Sequence, residues 1–222
     1  MAELSLQRVS YRYPRATRDA LQGVECRFRA GEVTAVVGPS GSGKTTLLSI
    51  MAGLDRPTSG EVLVDERELS KMNLDAYRRQ YVSVIFQAFH LFPLLTVLEN
   101  VCFPLELLGI HAKEAQKQAR KNLELVGIGE EKHRRYPSQL SGGEQQRVAI
   151  ARALSSGAKI LLADEPTGNL DGENSRNIVE ILMRLAHEAG YCVVIVTHDL
   201  AIADAADVVY TVADGVLSGG SV

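Results

Sequence analysis

Cysteine is scarce in these 222 residues. Cys26, Cys102 and Cys192 are the three present, far apart, odd in number and without C-x-x-C spacing. That argues against a disulfide frame or a cysteine zinc site, and for reduced thiols in a cytosolic compartment. The five histidines show no metal-ligand spacing either. Long apolar runs are also missing. The most apolar stretch, residues 82–110, is broken by Gln87, His90, Pro93, Glu99, Asn100 and Pro104, so it falls short of the roughly 18 unbroken residues that span a bilayer. Residues 1–10 contain Glu3 and Arg8 and lack an apolar centre, so no secretory signal is expected. There is no excess of basic charge: the formal net charge is −3, with both signs interspersed, unlike a sequence-independent nucleic-acid binder. Internal repeats, low-complexity tracts and long linkers are absent. The 45% hydrophobic content suffices for one substantial core, or a core with a satellite subdomain, in a soluble intracellular protein.

What is present centres on Gly38-Pro39-Ser40-Gly41-Ser42-Gly43-Lys44-Thr45, a full match to G-x-x-x-x-G-K-[ST]. Val33–Val37 before it reads as a short buried strand. Thr46–Ala52 after it reads as the opening turns of a helix that ends at Gly53. Strand, glycine loop and helix form a phosphate-binding geometry: glycines let successive N–H groups turn inward, and the helix N-terminus adds partial positive charge. Lys44 supplies a point charge for the β- and γ-phosphates, and the Thr45 hydroxyl suits Mg²⁺.

The rest of the chain supplies a setting for that loop. Leu4, Leu6 and Val9, then Val24, Cys26 and Phe28, then Val62 and Val64 alternate with polar residues, as half-exposed antiparallel strands do. Val82–Phe86, Ile160–Ala163, Val193–Val196 and Val208–Val212 are nearly continuous apolar runs, expected for strands buried on both faces. The first three stop at Gln87, at Asp164-Glu165 and at Thr197-His198-Asp199. In an open parallel sheet ligands bind beyond the carboxyl ends of the strands, so these clusters can converge on Lys44. Helices are expected over Lys113–Val126, with Ala115, Ala119, Leu123 and Val126 on one face, and over Glu173–Ala189. That second helix would bury Ile178, Ile181, Leu182, Leu185 and Ala189 and stop at Gly190. Residues from about 88 to 140 interrupt the strand–helix alternation and read as an inserted helical subdomain.

Asp164 suits a Mg²⁺ role, and Glu165, pointing elsewhere at the strand end, could polarise an attacking water. Leu140-Ser141-Gly142-Gly143-Glu144-Gln145-Gln146-Arg147 is locally a helix start, with Ser141 and Glu144 in a capping box. Two glycines in a first turn cost about 1 kcal/mol each relative to alanine, so something is expected to approach the backbone there.

With these stretches in hand the chain resembles the ATP-binding cassette (ABC) ATPases over essentially its whole length. The phosphate loop, Gln87 after a strand, the signature Leu140–Gln145, Asp164-Glu165, Asn169-Leu170-Asp171 and His198 stand in that family's order. The resemblance implies an α/β P-loop NTPase of the ABC type. Its parts would be a mainly parallel core sheet and an antiparallel β-subdomain (residues 1–87 and 141–222) and a helical subdomain (about 88–140), one nucleotide-binding domain in all. It implies ATP and Mg²⁺, with Gly38 through Thr45 and Thr46 on the nucleotide and Thr45, Gln87 and Asp164 on the metal. Glu165, His198 and Gln87 would be catalytic. An aromatic residue should stack on adenine; Tyr11 and Tyr13 compete, and the first strand favours Tyr13.

Two copies would pack head to tail, with Ser141, Gly142, Gly143 and Glu144 of each contacting the ATP of the other and Asn169, Leu170 and Asp171 at the interface. On that reading the costly glycines face the partner's nucleotide and not their own chain. Integral-membrane permease subunits would be the other partners, with no nucleic acid and no membrane insertion of the chain itself, on the cytoplasmic face of the cell membrane. The stretches Gln87–Pro93, Leu95–Val101, Pro166–Asp171 and Ser141–Arg152 look like the branch serving macrolide exporters, lipoprotein-releasing, bacitracin-resistance and cell-division systems. Ser83 stands where related chains usually have glycine. Phe89, Leu91, Phe92 and Leu94 fall in the region where the family forms a groove for a permease helix. The chain closes on Asp214-Gly215 and a Gly/Ser tail, with no regulatory domain expected. A soluble ABC ATPase acting on nucleic acid or ribosomes is the alternative, disfavoured by the single cassette and the lack of heptads or a basic stripe. A P-loop kinase would lack the signature.

Overall fold

The computed structural model describes residues 3–220. Two sheets frame it. The first is antiparallel: β1 (Leu4–Tyr11), β2 (Leu21–Phe28), β4 (Ser59–Val64) and the two-residue β5 (Arg67–Glu68), in the order β2-β1-β4-β5. The second holds β3 (Val33–Val37), β6 (Val82–Ile85), β7 (Ile160–Asp164), β8 (Cys192–Thr197), β9 (Val208–Ala213) and β10 (Val216–Gly219). Its order is β10-β9-β3-β8-β7-β6, all parallel except the β9–β10 pair.

The core sheet separates two apolar clusters by the two-residue period of a strand. Val36, Ile160, Leu162, Val194 and Val196 face α1 (Lys44–Met51) and the antiparallel sheet. Val33, Leu161, Ala163, Val193 and Ile195 face the other way, onto α5 (Gly142–Leu154) and α6 (Gly172–His187). Between β5 and β6 lies α2 (Leu74–Gln80), whose Tyr77 is buried and donates to the Met51 carbonyl at 2.6 Å. Between β6 and α5 lie α3 (Val97–Leu107) and α4 (Ala112–Leu125), which pack with α5 into the second cluster. Short α7 (Leu200–Ala205) links β8 to β9.

β3, β7 and β8 are buried on both faces apart from the half-buried Asp164 at the end of β7. β9 departs from expectation: Val208, Tyr210 and Val212 are buried, but Thr211 and Ala213 are exposed. Its outer neighbour is the short antiparallel β10 at the sheet edge, so one face lies outside the helical layers. β10 lies where the sequence suggests a Gly/Ser tail. Its signal was Asp214-Gly215, a hairpin dipeptide whose residues have φ of 48° and 79°, as a type I′ turn requires. α6 stops at His187, and Ala189 is exposed instead of buried. The alternation in β1 breaks between Leu6 and Val9 because of a bulge at Arg8 (φ 47°), opposite Gly60, where a Cβ would lie 2.2 Å from the Arg8 carbonyl. Ser83 causes no packing fault: its Oγ donates to the Ala153 carbonyl (3.0 Å) and pairs with Ser156 Oγ (2.7 Å).

Candidate active site

The parallel registers bring the polar strand ends together. Val37 pairs with Thr197, Asp164 with Val196 and Ile85 with Ala163. Gly38, His198, Glu165 and Gln87 therefore all leave the same edge of four adjacent strands.

The phosphate loop is shaped by its glycines. A Cβ on Gly38 would lie 2.2 Å from the Val212 carbonyl oxygen, and one on Gly43 (φ 113°) 2.5 Å from that of Ala20. Gly43 caps α1 without a side chain, so the first-turn N–H groups have no side-chain acceptor and suit an anion. Lys44 is buried, with Nζ donating to the carbonyls of Gly38 (2.7 Å) and Pro39 (3.0 Å). Pro39, Ser40, Gly41 and Thr45 are exposed. The β9–β10 turn buttresses the loop, the Gly215 N–H donating to the Ser42 carbonyl at 2.9 Å. The Thr46 hydroxyl pairs with Tyr13 Oη at 2.8 Å. Tyr11 is buried in the core while Tyr13 is half exposed, which leaves Tyr13 as the ring with a free face beside the loop.

At the end of β7 the two carboxylates diverge. Burial first, then the neighbouring Glu165 charge, raises the Asp164 carboxyl above its ordinary value, and Lys44 offsets part of that. Glu165 takes a left-handed φ of 45°, while its N–H still reaches the Val196 carbonyl at 2.8 Å. This turns its carboxylate toward β8: Oε2 accepts from Thr197 Oγ1 (3.1 Å), and Oε1 lies 2.8 Å from His198 Nδ1. A carboxylate accepts, so Nδ1 carries the proton, and the ring is exposed beside the site.

Gln87 is exposed and joined to Asn169. The Asn169 amide donates to the Gln87 carbonyl at 3.0 Å, and Gln87 Nε2 to Asn169 Oδ1 at 3.4 Å. Leu170 is partly buried against the core, and Asp171 caps α6 by accepting from the Asn174 N–H at 2.9 Å. Ser141 and Glu144 form the expected capping box. The glycine pair divides. A Cβ on Gly143 would lie 2.2 Å from Asn174 Oδ1, so the Asn174 side chain would have to shift to admit one. At Gly142 the nearest atoms would be Leu170 at 3.4 Å, then Asn169 and Phe89 at 3.8 Å, ordinary contacts that the fold tolerates.

The donor set fits a nucleotide with a hard cation. Among the described residues no group of three or more His, Cys, Asp or Glu converges as a metal cage. The Thr45 hydroxyl, Asp164 and the Gln87 amide are a sparse oxygen set, of the kind that holds Mg²⁺ jointly with phosphate oxygens and water. Ser42 Oγ is buried within the loop without a partner, and the Asp164 charge, disfavoured by burial, would gain from a cation.

Residues 21–168 match the family described as ABC transporter. The chain belongs to the ABC transporter family. An uncharacterized ABC transporter ATP-binding protein of Thermotoga maritima is 47% identical over 204 residues, 90% of this chain and 86% of its own length. The lipoprotein-releasing system ATP-binding protein LolD of Syntrophotalea carbinolica is 45% identical over 204 residues, 90% and 89% of the two chains. Among solved structures, the dimeric bacterial ABC transporter cassette MJ0796 superposes with a TM-score of 0.89 at 38% identity, covering 98% and 97%. MJ0796 is also known as a dimer in a post-hydrolysis state with ADP and Pi. This chain is thus an ABC cassette, the ATP-binding subunit of a transporter.

The ABC cassette has a second concave region, a groove of about 430 Å³ lined by Phe86, His90, Phe92, Phe103, Leu107 and Arg152 among others. The groove lies in the expected region, and of Phe89, Leu91, Phe92 and Leu94 it is Phe92 that lines it. Leu91 packs against the core, Phe89 lies beside Gly142, and Leu94 is 87% exposed. Sequence reasoning missed three side chains that fix this region. Asn100 is fully buried and joins the backbone of Phe92, Leu95 and Thr96. Gln146, also fully buried, donates to the Pro166 carbonyl at 2.9 Å. Arg152 reaches the carbonyls of Phe89 and His90. A polar residue on an otherwise apolar helix face was the available signal for each. No helix of the described chain is long and apolar enough to cross a membrane.

Proposed function

We propose that two copies of this chain hydrolyse Mg-ATP as a head-to-tail sandwich and drive an integral-membrane permease of the lipoprotein-releasing or macrolide-exporter kind. The cassette would work as a peripheral subunit on the cytoplasmic face of the cell membrane. One observation carries the reading: Glu165, Thr197 and His198 form a hydrogen-bonded cluster at the strand edge that also bears Lys44, Asp164 and Gln87. The signature glycine that would admit a Cβ at ordinary contact distance, Gly142, meanwhile faces Leu170, Asn169 and Phe89.

On this reading the loop backbone from Gly38 to Thr46 and Lys44 hold the triphosphate, and Tyr13 offers its ring to adenine. Thr45, Asp164 and Gln87 would hold Mg²⁺, which when bound neutralises phosphate charge and orients the β- and γ-oxygens. Glu165 accepts a proton from the attacking water. His198, held by Glu165 through Nδ1–H, would donate from Nε2–H to the γ-phosphate in its doubly protonated form and stabilise charge developing there. Ser141, Gly142, Gly143 and Glu144 complete the partner's site, with Asn169, Leu170 and Asp171 along the interface. The LolD relative and the branch resemblance support the permease class, and the apolar groove with its arginines suits an amphipathic cytoplasmic segment.

Glu165→Gln tests the chemistry. ATP binding should persist while turnover falls by roughly a hundredfold or more, the scale of losing a positioned base. Turnover at the native rate would remove Glu165 from the reaction.

A further inference from the structure

Two consecutive residues beyond Gln87, Phe89 and His90, hold left-handed backbone conformations, with φ of 57° and 49°. Neither has glycine's freedom, and a pair of such residues persists only where the surroundings impose it. The turn's own bonds run from the Phe89 N–H to the Phe86 carbonyl (3.3 Å) and from the His90 N–H to the Ala88 carbonyl, and Arg152, in the last turn of α5, grips it from outside. Its Nη1 donates to the His90 carbonyl at 2.6 Å and its Nη2 to the Phe89 carbonyl at 3.1 Å. Its guanidinium lies 5.7 Å from the Phe92 ring centroid, and burial lowers its pKa. The His90 ring packs edge-on to Phe86 at 4.9 Å, and the Phe89 ring lies toward Gly142. Gln87 is tied to Asn169, so the segment from Gln87 to His90 is pinned at both ends and strained between them.

We propose that Arg152 is a positioning residue for ATP hydrolysis. Its planar fork holds Phe89 and His90 left-handed, and that turn sets Gln87 at the mouth of the site. The proposal rests on the reading of Gln87 as a site residue. Both hydrogen-bond acceptors are backbone carbonyls at fixed separation, so the recognition needs two donors in one plane. Guanidinium provides these and a single ammonium does not. Arg152 touches neither nucleotide-binding loop nor carboxylates in the contacts above, so its effect should appear in turnover and not in ATP affinity.

The test compares kcat and ATP Kd, measured on the full chain, for Arg152→Gln, Arg152→Lys, Gln87→Ala and Arg152→Gln combined with His90→Gly. Arg152→Gln should lower kcat roughly 10- to 100-fold with Kd unchanged, as a misplaced site group does. Arg152→Lys should lose most of the same factor. Adding His90→Gly, which adopts the left-handed backbone without strain, should restore most of the loss. A merely structural arginine would show the opposite, because glycine adds further disorder to a loosened segment. Unchanged kcat in Arg152→Gln, or no rescue by His90→Gly, would overturn the proposal. If Arg152→Gln does not fold, Arg152→Lys with and without His90→Gly decides by the same criterion. Gln87→Ala separates the two readings. Native kcat in that variant sinks the site assignment itself, whereas a fall in Gln87→Ala without one in Arg152→Gln sinks only the role of Arg152.

Discussion

Glu165 leaves β7 in a left-handed conformation, a cost of about 1–3 kcal/mol for a residue with a side chain, and the return is a carboxylate bonded to both Thr197 and His198. The sequence displayed the identity of these residues and their places at strand ends. It did not display the turn, because nothing in Asp164-Glu165 marks a positive φ. The signature glycines make the same point. Their presence predicted a close approach, yet only the folded chain shows that a Cβ on Gly143 would crowd the Asn174 side chain whereas one on Gly142 would make ordinary contacts. Gly143→Ala should therefore lower stability by about 1–3 kcal/mol through overpacking, read as a drop in the thermal midpoint. Gly142→Ala should leave that midpoint nearly unchanged and lower ATP turnover. Equal loss of stability in both variants would contradict the distinction. The thiols give a second check. Burial pushes Cys26 and Cys192 up to about 12 and Cys102 up to about 11, so little thiolate exists at neutral pH. Iodoacetamide should label all three slowly in the native chain and rapidly after unfolding.

At the scale of elements, the runs with the clearest period were the most legible. β3, β7 and β8 are apolar because both faces are covered, and α4 shows its buried face in Ala115, Ala119 and Leu123. β10 was not legible because its residues bury little, and its evidence was the turn chemistry of Asp214-Gly215. α5 was legible as a helix start, and its capping box has a consequence for pH. Lys132 at 2.8 Å, then the Ser141 N–H, holds the Glu144 carboxyl down to about 2 from an ordinary 4.5. A folded value below the unfolded one stabilises fully above the unfolded pKa and is lost as pH falls through the folded one. The stability difference between the native chain and Glu144→Gln should thus be full above about pH 4.5 and vanish toward about pH 2. Lys132 and Glu144 are partly exposed, at 25% and 17% of their side-chain surface, so the difference should also shrink in high salt. A constant difference across that range would place the stabilisation outside this ion pair.

At the scale of the molecule, the antiparallel sheet, core sheet and helical layers set one nucleotide edge against one signature edge on the same chain. The signature Ser141 begins a helix whose far end, at Arg152, grips the segment after Gln87, so a single rigid element runs from one edge to the apolar groove. On the proposed sandwich, a second copy supplies its signature to the first copy's phosphate loop and completes the site. If the permease reading holds, Glu165→Gln purified from solubilised membranes with ATP should bring an integral-membrane subunit with it; soluble partners alone would favour a role away from the membrane. The most direct test of the sandwich is the mass of Glu165→Gln in solution, by sedimentation, with and without Mg-ATP. Monomer without nucleotide and dimer with it is expected, and adding Ser141→Arg should abolish the dimer while leaving ATP affinity of the monomer intact. A chain that stays monomeric with ATP bound, or a Ser141→Arg variant that loses monomer affinity, would contradict the head-to-tail account.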